Sequence, residues 1–121
     1  MKYKINNPAR KFLVGNSEIT LNDTGSILLE PDEQVTFLDE RGSEYDVCRK
    51  IWGYYATPSV NGRLKNFGFK TAVVENEQTK MLYVMLVYEN MIPSFEEYLS
   101  AEGLLIRKWM SWNGVVLDLN P

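Results

Sequence analysis

Apolar and polar residues alternate or cluster in short runs along this chain, which predicts a protein built mainly of β-strands. Residues 1–9 are predicted to form an irregular lead or an edge strand, because Asn6-Asn7-Pro8 interrupts regular structure. Three short strands follow, with a predicted turn at residues 22–25; they span residues 11–15, 17–21 and 26–30. These segments predict an N-terminal β meander.

A first β-hairpin is predicted at residues 34–52. Its strands are residues 34–38 and 44–52, joined by a loop at residues 39–43. In the second strand, alternation assigns Tyr45, Val47 and Ile51 to one face, and Asp46, Cys48 and Lys50 to the other. Gly53 is predicted to end this strand.

A second hairpin is predicted at residues 69–88. Its strands are residues 69–75 and 81–88, joined by residues 76–80. The second strand is a run of eight apolar residues, which is typical of a central strand. The run is also far shorter than the ~18 residues of a membrane span, so no membrane association is expected.

A short helix is predicted between these hairpins. Thr57 or Ser59, on either side of Pro58, has the side chain of a helix cap, and Pro is tolerated in a first turn. The helix would run to about Asn66 and would end before Gly68.

A second helix is predicted after residue 93. Ser94 and Glu97 have the spacing of a capping box, and Gly103 is predicted to end the helix. Residues 104–112 then read as a strand. Asn113-Gly114 is a strong hairpin turn that would lead into a last strand at residues 115–119.

The predicted order of elements indicates an α+β fold. From Glu44 onward it is strand, helix, strand, strand, helix, strand, as in a ferredoxin-like split βαβ unit. We expect a single domain over residues 1–121, mainly antiparallel sheet with one or two short helices. Residues 1–43 would form the β meander and residues 44–112 the α+β core. The alternative is a β-barrel with one docked helix, in which residues 58–66 are a loop.

Composition excludes several kinds of chemistry. The sequence has no histidine and one cysteine, so Ser-His-Asp or Cys-His catalysis, imidazole metal ligands and an internal disulfide are excluded. Cys48 is expected to be a structural thiol, and we expect neither a metal nor a cofactor. Residues 1–20 contain no signal-peptide core, which favours a reducing, cytoplasmic location.

The charges are distributed unevenly. Residues 30–46 carry seven acidic residues and one basic residue, whereas residues 47–74 carry five basic residues and no acidic one. The two segments either neutralise each other or present an anion-binding surface in the second segment. Nucleic acid is not an expected partner, because the isoelectric point is near 5.0 and the RNP1 pattern is missing.

The acid-free segment supplies the candidate binding site. Aromatic side chains would stack on a planar or sugar ring, and hydroxyl and cationic side chains would hold an anionic group. The proposed residues are Lys50, Trp52, Tyr54, Tyr55, Thr57, Ser59, Arg63 and Lys65. The simpler interpretation is that these residues form ordinary core and connections.

Several motifs carry a family resemblance. They include residues 31–37 and 44–46, the segment 52–59, and residues 61–64 and 68–72. Over residues 30–90 the chain resembles a family of small, uncharacterised bacterial proteins found among genes for surface-polysaccharide and modified-sugar biosynthesis. The resemblance implies a sugar-related role, and it assigns no activity or catalytic residue.

Three functions are considered. The first is a non-catalytic accessory or ligand-binding protein for an anionic small molecule, a phosphorylated sugar or a sugar nucleotide. The second is a protein-interaction module in which Trp109, Trp112 and residues 81–88 help to form a homodimer or a larger complex. The third, ranked lowest, is an enzyme that uses Asp, Glu, Lys, Tyr or Cys48 as acid–base groups.

Overall fold

The computed structural model describes residues 1–110, which form three antiparallel sheets and two short helices. The predicted α+β class is therefore confirmed. The chain divides into two compact units, the first from Met1 to Thr57 and the second from Pro58 onward. The subdivision expected after residue 43 falls in the loop of a hairpin instead, and the single-domain assignment stays a prediction. Trp112, the Asn113-Gly114 turn and the strand at 115–119 lie outside the described residues.

The first unit begins with a long hairpin of β1 (Lys2–Val14) and β2 (Ile19–Leu28). The prediction of separate short strands and of a turn at residues 22–25 is wrong, because those residues continue β2. Residues 22–25 have the composition of a turn, but they lie opposite a bulge in β1. Ile5 pairs with Gly25, and the next pair is Arg10 with Asp23, so residues 6–9 of β1 bulge out of the pairing. The bulged segment of β1 contains a cis bond between Asn7 and Pro8.

Glycine is required at position 25 because the backbones of β1 and β2 come very close there, not because the chain turns. A Cβ atom at this position would lie 2.3 Å from the carbonyl oxygen of Lys4 on the paired strand. Any larger residue would therefore push the two strands of the hairpin apart.

The second sheet contains β3 (Gln34–Leu38), β4 (Glu44–Lys50) and β5 (Gly53–Ala56). The predicted β3–β4 hairpin is confirmed. Gly53 begins a strand rather than ending one: its φ of +145° lets the chain reverse through a two-residue turn. Ile51 lies in that turn and is 85% exposed, so it does not share the strand face of Tyr45 and Val47.

Strand register gives this sheet two chemically different faces. Val35 pairs with Val47, and Phe37 pairs with Tyr45, so one face is largely apolar, with Arg49 as its cation. The other face carries Asp46, which is only 4% exposed. Its carboxylate accepts hydrogen bonds from the hydroxyls of Thr36 and, at 3.4 Å, of Thr57. The buried carboxyl group is thus hydrogen-bonded to two hydroxyls.

In the second unit, the helix α1 (Arg63–Asn66) is a single turn. The cap roles predicted for Thr57 and Ser59 are not formed, because the residue before the helix is Gly62 and no side chain caps it. The predicted end is confirmed, since Gly68 has a φ of +86°.

The third sheet has the strand order β7 (Leu82–Tyr88), β6 (Phe69–Asn76), β8 (Leu104–Trp109). The predicted β6–β7 hairpin is confirmed. The expectation that its apolar second strand is central is wrong for the sheet within residues 1–110, where β7 pairs on one side only. The central strand is β6, whose Ala72 and Val74 are fully buried. In β7, Leu82 and Val84 are 61% and 70% exposed.

The helix α2 (Ile92–Glu102) packs on this sheet through Leu99, which joins Ala72 and Val74 in the buried core. The predicted capping box is not formed, because the helix begins earlier, with Pro93 in its first turn and no side-chain cap. Gly103, with a φ of 68°, ends the helix as predicted.

The ferredoxin-like arrangement is not formed. Strand β4 pairs with β3 and β5, whereas β6 pairs with β7 and β8, so the expected strands belong to two different sheets. The barrel alternative is not formed either, because none of the sheets in residues 1–110 closes on itself. No helix in this part of the chain has the length and apolar character needed to cross a bilayer.

Candidate functional site

The candidate site is an apolar cleft in the first unit, with a volume of about 520 Å³. One wall is the β1–β2 hairpin, which contributes Tyr3, Ile5 and Ile27. The other wall is one face of the second sheet, and its three strands contribute Val35, Phe37, Val47 and Tyr54. A concave, mostly apolar surface of this size is the usual form of a small-ligand site.

Strand pairing builds the hairpin wall from residues that are far apart in the sequence. Tyr3 pairs with Ile27, and Ile5 pairs with Gly25, so these residues share one side of the hairpin. Tyr3 and Ile5 are 69% and 70% exposed. The wall therefore offers apolar area that a bound ligand would remove from water.

One cationic side chain lies close to the cleft. Lys4, Thr24 and Ser26 also line the cleft, but strand alternation directs their side chains to the other side of the hairpin. On the sheet side, the Arg49 guanidinium lies 5.7 Å from the ring centroid of Tyr54, within the range of a cation–π contact. The cleft can thus hold an apolar or planar group, with one guanidinium beside the Tyr54 ring.

An ion pair connects the start of β1 to the beginning of the second sheet. The amino group of Met1, itself a lining residue, lies 2.9 Å from a carboxylate oxygen of Glu33. The backbone N–H of Glu30 and the Met1 ammonium lower the pKa of Glu33, and the bond to Glu33 raises the pKa of the Met1 amino group. Both shifts favour the charged pair, which joins the two walls at one end of the cleft.

The predicted aromatic cluster is divided between the two faces of the second sheet. Tyr54 lines the cleft, whereas Tyr55 is the next residue of β5 and faces the other way. Trp52 is exposed in the β4–β5 turn, where its ring stacks on Tyr55 with centroids 5.9 Å apart. Of the three aromatics, only Tyr54 is a lining residue.

Lys50 is engaged in an ion pair. Its Nζ atom lies 2.5 Å from Asp32, and this bond raises the pKa of the lysine. The contact joins the acidic segment to the acid-free segment, as expected if the two neutralise each other.

The remaining predicted site residues are placed in different units. Thr57, the last residue of the first unit, donates its backbone N–H to the carbonyl of Asp46 at 2.9 Å. Ser59, Arg63 and Lys65 belong to the second unit. The helix α1 starts only at Arg63 and is one turn long, so the anion-binding helix end expected at Thr57 and Ser59 is not present.

Sequence reasoning missed most of the residues that line the cleft. Tyr3 and Ile5 alternate with lysines in Lys2–Ile5, which is a strand signal, but the following Asn-Asn-Pro segment hid it. Val35 and Phe37 also alternate with polar residues in β3. Their convergence depends on the pairing of β1 with β2, which the sequence did not indicate.

Neither a metal site nor a comparison with known proteins identifies further functional residues. Within the part of the chain that the structure describes, no three acidic or cysteine side chains are grouped to hold a metal ion. Comparisons with protein-family models, with curated proteins and with solved structures found no match.

Proposed function

We propose that this protein is a non-catalytic binding protein, and that the cleft of the first unit holds a planar or apolar part of its ligand. The observation that carries the proposal is the cleft itself: an open, mostly apolar concavity of about 520 Å³ is lined by exposed tyrosine and phenylalanine rings. Such side chains bind rings by stacking and by excluding water.

A sugar nucleotide is the ligand class that we propose. Its base is a flat ring that would stack on Tyr54 or Phe37, and its phosphates would bind the Arg49 guanidinium beside Tyr54. The resemblance of residues 30–90 to a family associated with sugar biosynthesis supports the same class.

The test is an NMR titration of the full chain with UDP-glucose. We expect amide shifts at Ile5, Ile27, Phe37 and Tyr54. Shifts confined to residues outside the cleft, or no shifts, would overturn the proposal. If only an apolar dye binds in the cleft, the binding site stands and the sugar-nucleotide class is wrong.

Two adjacent tyrosines provide a matched pair of variants. Tyr54→Ala removes a ring that lines the cleft and should weaken UDP-glucose binding at least tenfold, about 1.4 kcal/mol. Tyr55→Ala removes the same side chain from the opposite face of β5. It should leave the affinity within about twofold, and equal losses in both variants would contradict binding in the cleft.

A second candidate function is self-association through β7. This strand is at the edge of the third sheet in the described residues, and its Leu82 and Val84 are exposed. It carries no charge from Leu82 to Tyr88, so two copies could pair antiparallel without like-charge repulsion.

Sedimentation equilibrium tests this candidate. We expect a concentration-dependent dimer that Val84→Lys disrupts, because a lysine on an edge strand opposes pairing with another chain. Tyr98→Lys adds the same charge to an exposed position of α2 and should leave the dimer intact. A monomer at all concentrations would overturn the candidate.

A further inference from the structure

Two aromatic rings are exposed at the tip of the β4–β5 hairpin. Trp52 and Tyr55 are 68% and 44% exposed, and their rings stack at an interplanar angle of 21°. Ile51 and Trp52 form the two-residue turn itself, a position that usually carries Gly, Asn, Asp or Ser. Two large apolar side chains that are left in water at a turn do not stabilise the fold, so this tip is a candidate binding surface.

Strand pairing places polar groups beside Trp52 and Tyr55, which we call the aromatic platform. Tyr55 pairs with Cys48, and Lys50 lies two residues further along β4, so Lys50 shares the face of Tyr55. The Lys50 ammonium interacts electrostatically with Tyr55 and lies 2.5 Å from a carboxylate oxygen of Asp32. A hydrogen-bond donor and an acceptor therefore lie next to the rings.

The charges of this ion pair narrow the class of ligand. The Lys50 and Asp32 charges cancel, so the pair gives no net attraction to a phosphate or to a cation. A neutral hydroxyl group suits both partners, because it can donate a hydrogen bond to the carboxylate and accept one from the ammonium. The polar margin of the platform thus favours a neutral ligand with several hydroxyl groups.

A flat sugar ring has both of the required properties. A pyranose whose hydroxyls are all equatorial carries C–H groups on its two faces and hydroxyls around its rim. One face would pack on the rings of Trp52 and Tyr55 and leave water, while the rim would bond to Lys50 and Asp32. We propose that the aromatic platform binds a neutral saccharide of such rings, a β-1,4-linked glucan, at a second site that does not depend on the cleft.

The first experiment is an NMR titration of the full chain with cellotetraose. We expect saturable amide shifts at Lys50, Trp52 and Tyr55. Ile5 and Ile27, which line the cleft, should not shift. Maltotetraose should bind at least about threefold more weakly, because its α-linkages curve the chain away from a flat surface. No saturable shift with cellotetraose, or equal affinity for the two saccharides, would overturn the proposal.

An exposed ring can be removed without disturbing the core. Trp52→Ala should weaken cellotetraose binding at least about tenfold. The midpoint of urea unfolding should stay the same, because the side chain is exposed. The control Tyr98→Ala removes an exposed ring from α2 and should leave the affinity within about twofold. An unchanged affinity in Trp52→Ala would contradict the site.

A second copy of the chain is the alternative occupant of the platform. Sedimentation equilibrium of the unmodified chain and of Trp52→Ala distinguishes the two. If cellotetraose does not bind and Trp52→Ala dissociates a dimer, the rings form a contact between copies and the saccharide proposal is wrong.

The adjacent tyrosines of β5 show whether the platform and the cleft are separate sites. Tyr54→Ala should weaken UDP-glucose binding and leave cellotetraose binding unchanged, and Tyr55→Ala should do the reverse. Loss of both ligands in either variant would overturn the separation of the two sites. The saccharide proposal can thus fail while the proposed function stands, and the reverse.

Discussion

Asp46 shows how a single buried carboxylate is held in the first unit. It accepts hydrogen bonds from the side chains of Thr36 and Thr57, and its carbonyl accepts the backbone N–H of Thr57. Thr36 lies in β3, Asp46 lies in β4, and Thr57 directly follows β5. Asp46 therefore ties all three strands of the second sheet together.

We expect Asp46→Ala to lower the free energy of unfolding by about 2–4 kcal/mol, because two hydroxyls lose a charged acceptor. Urea denaturation measures the loss. The control is Asp32→Asn, because asparagine tolerates the φ of 68° at this position. The Asp32 side chain is 74% exposed and pairs with Lys50 at the surface. Asp32→Asn should cost less than about 1 kcal/mol. A similar loss in both variants would argue against the role of Asp46.

At the scale of elements, the β1–β2 hairpin depends on close contact between its strands. Gly25 lies against the Lys4 carbonyl, opposite the bulge of β1. The same strands form one wall of the cleft. Separating them would therefore disturb both the hairpin and the binding surface.

Gly25→Ala should destabilise the first unit by about 1–3 kcal/mol, since its Cβ atom would overlap backbone and the strands must separate. Urea unfolding and the amide shifts of Tyr3 and Ile27 would report the change. Ser26→Ala, at the next position of β2, should cost less than about 0.5 kcal/mol. An unaltered hairpin in Gly25→Ala would contradict the close approach.

Local sequence patterns predict several strands and hairpins well, but they predict poorly which strands pair in a sheet. The β3–β4 and β6–β7 hairpins were predictable because strand alternation and loop composition agree within one short stretch. The apolar content of β7 predicts a central strand, yet β6 is central in the described sheet because β8, about twenty residues further along, pairs with β6. The bulge in β1 could not be seen, because it is defined only by pairing with β2.

The candidate site was predictable only in part, for the same reason. The neighbouring Trp52 and Tyr55 in the sequence predict Tyr54 as a site residue. However, consecutive residues of β5 face opposite sides of the sheet, so Tyr54 and Tyr55 do not share a site. The actual neighbours of Tyr54 in the cleft include Tyr3 and Ile27, which reach it through long-range pairing. Aromatic residues that are adjacent in the sequence therefore do not predict one binding site. The strand face on which each residue lies decides which residues share the site.

At the scale of the whole molecule, the division after Thr57 separates the predicted binding residues into two groups. The apolar cleft and its lining residues lie wholly in the first unit, so binding there can be tested without reference to Ser59, Arg63 and Lys65.

The stability of the first unit should depend on pH through Glu33 and Met1. Glu33 has a pKa lowered from 4.5, so its contribution is present above that value and is lost as the pH falls through the lower folded pKa. The Met1 amino group has a pKa raised from 8.0, so its contribution is present below 8.0 and is lost as the pH rises through the higher folded pKa.

Comparison of the unmodified chain with Glu33→Gln measures this effect. The stability difference should be constant between pH 4.5 and 8.0 and should shrink on both sides. The control Glu18→Gln changes an exposed residue of the β1–β2 turn and should give no such profile. A difference that does not vary with pH would rule out the ion pair as its cause.

The exposed turn between β4 and β5 also gives the first unit its own optical reporter. Trp52 is the only one of the three tryptophans before residue 58, and it lies against the ring of Tyr55 in that turn. Replacing Trp109 and Trp112 by phenylalanine would leave a chain whose indole fluorescence comes from the first unit alone. The unfolding of that unit could then be followed by emission while circular dichroism follows the whole chain.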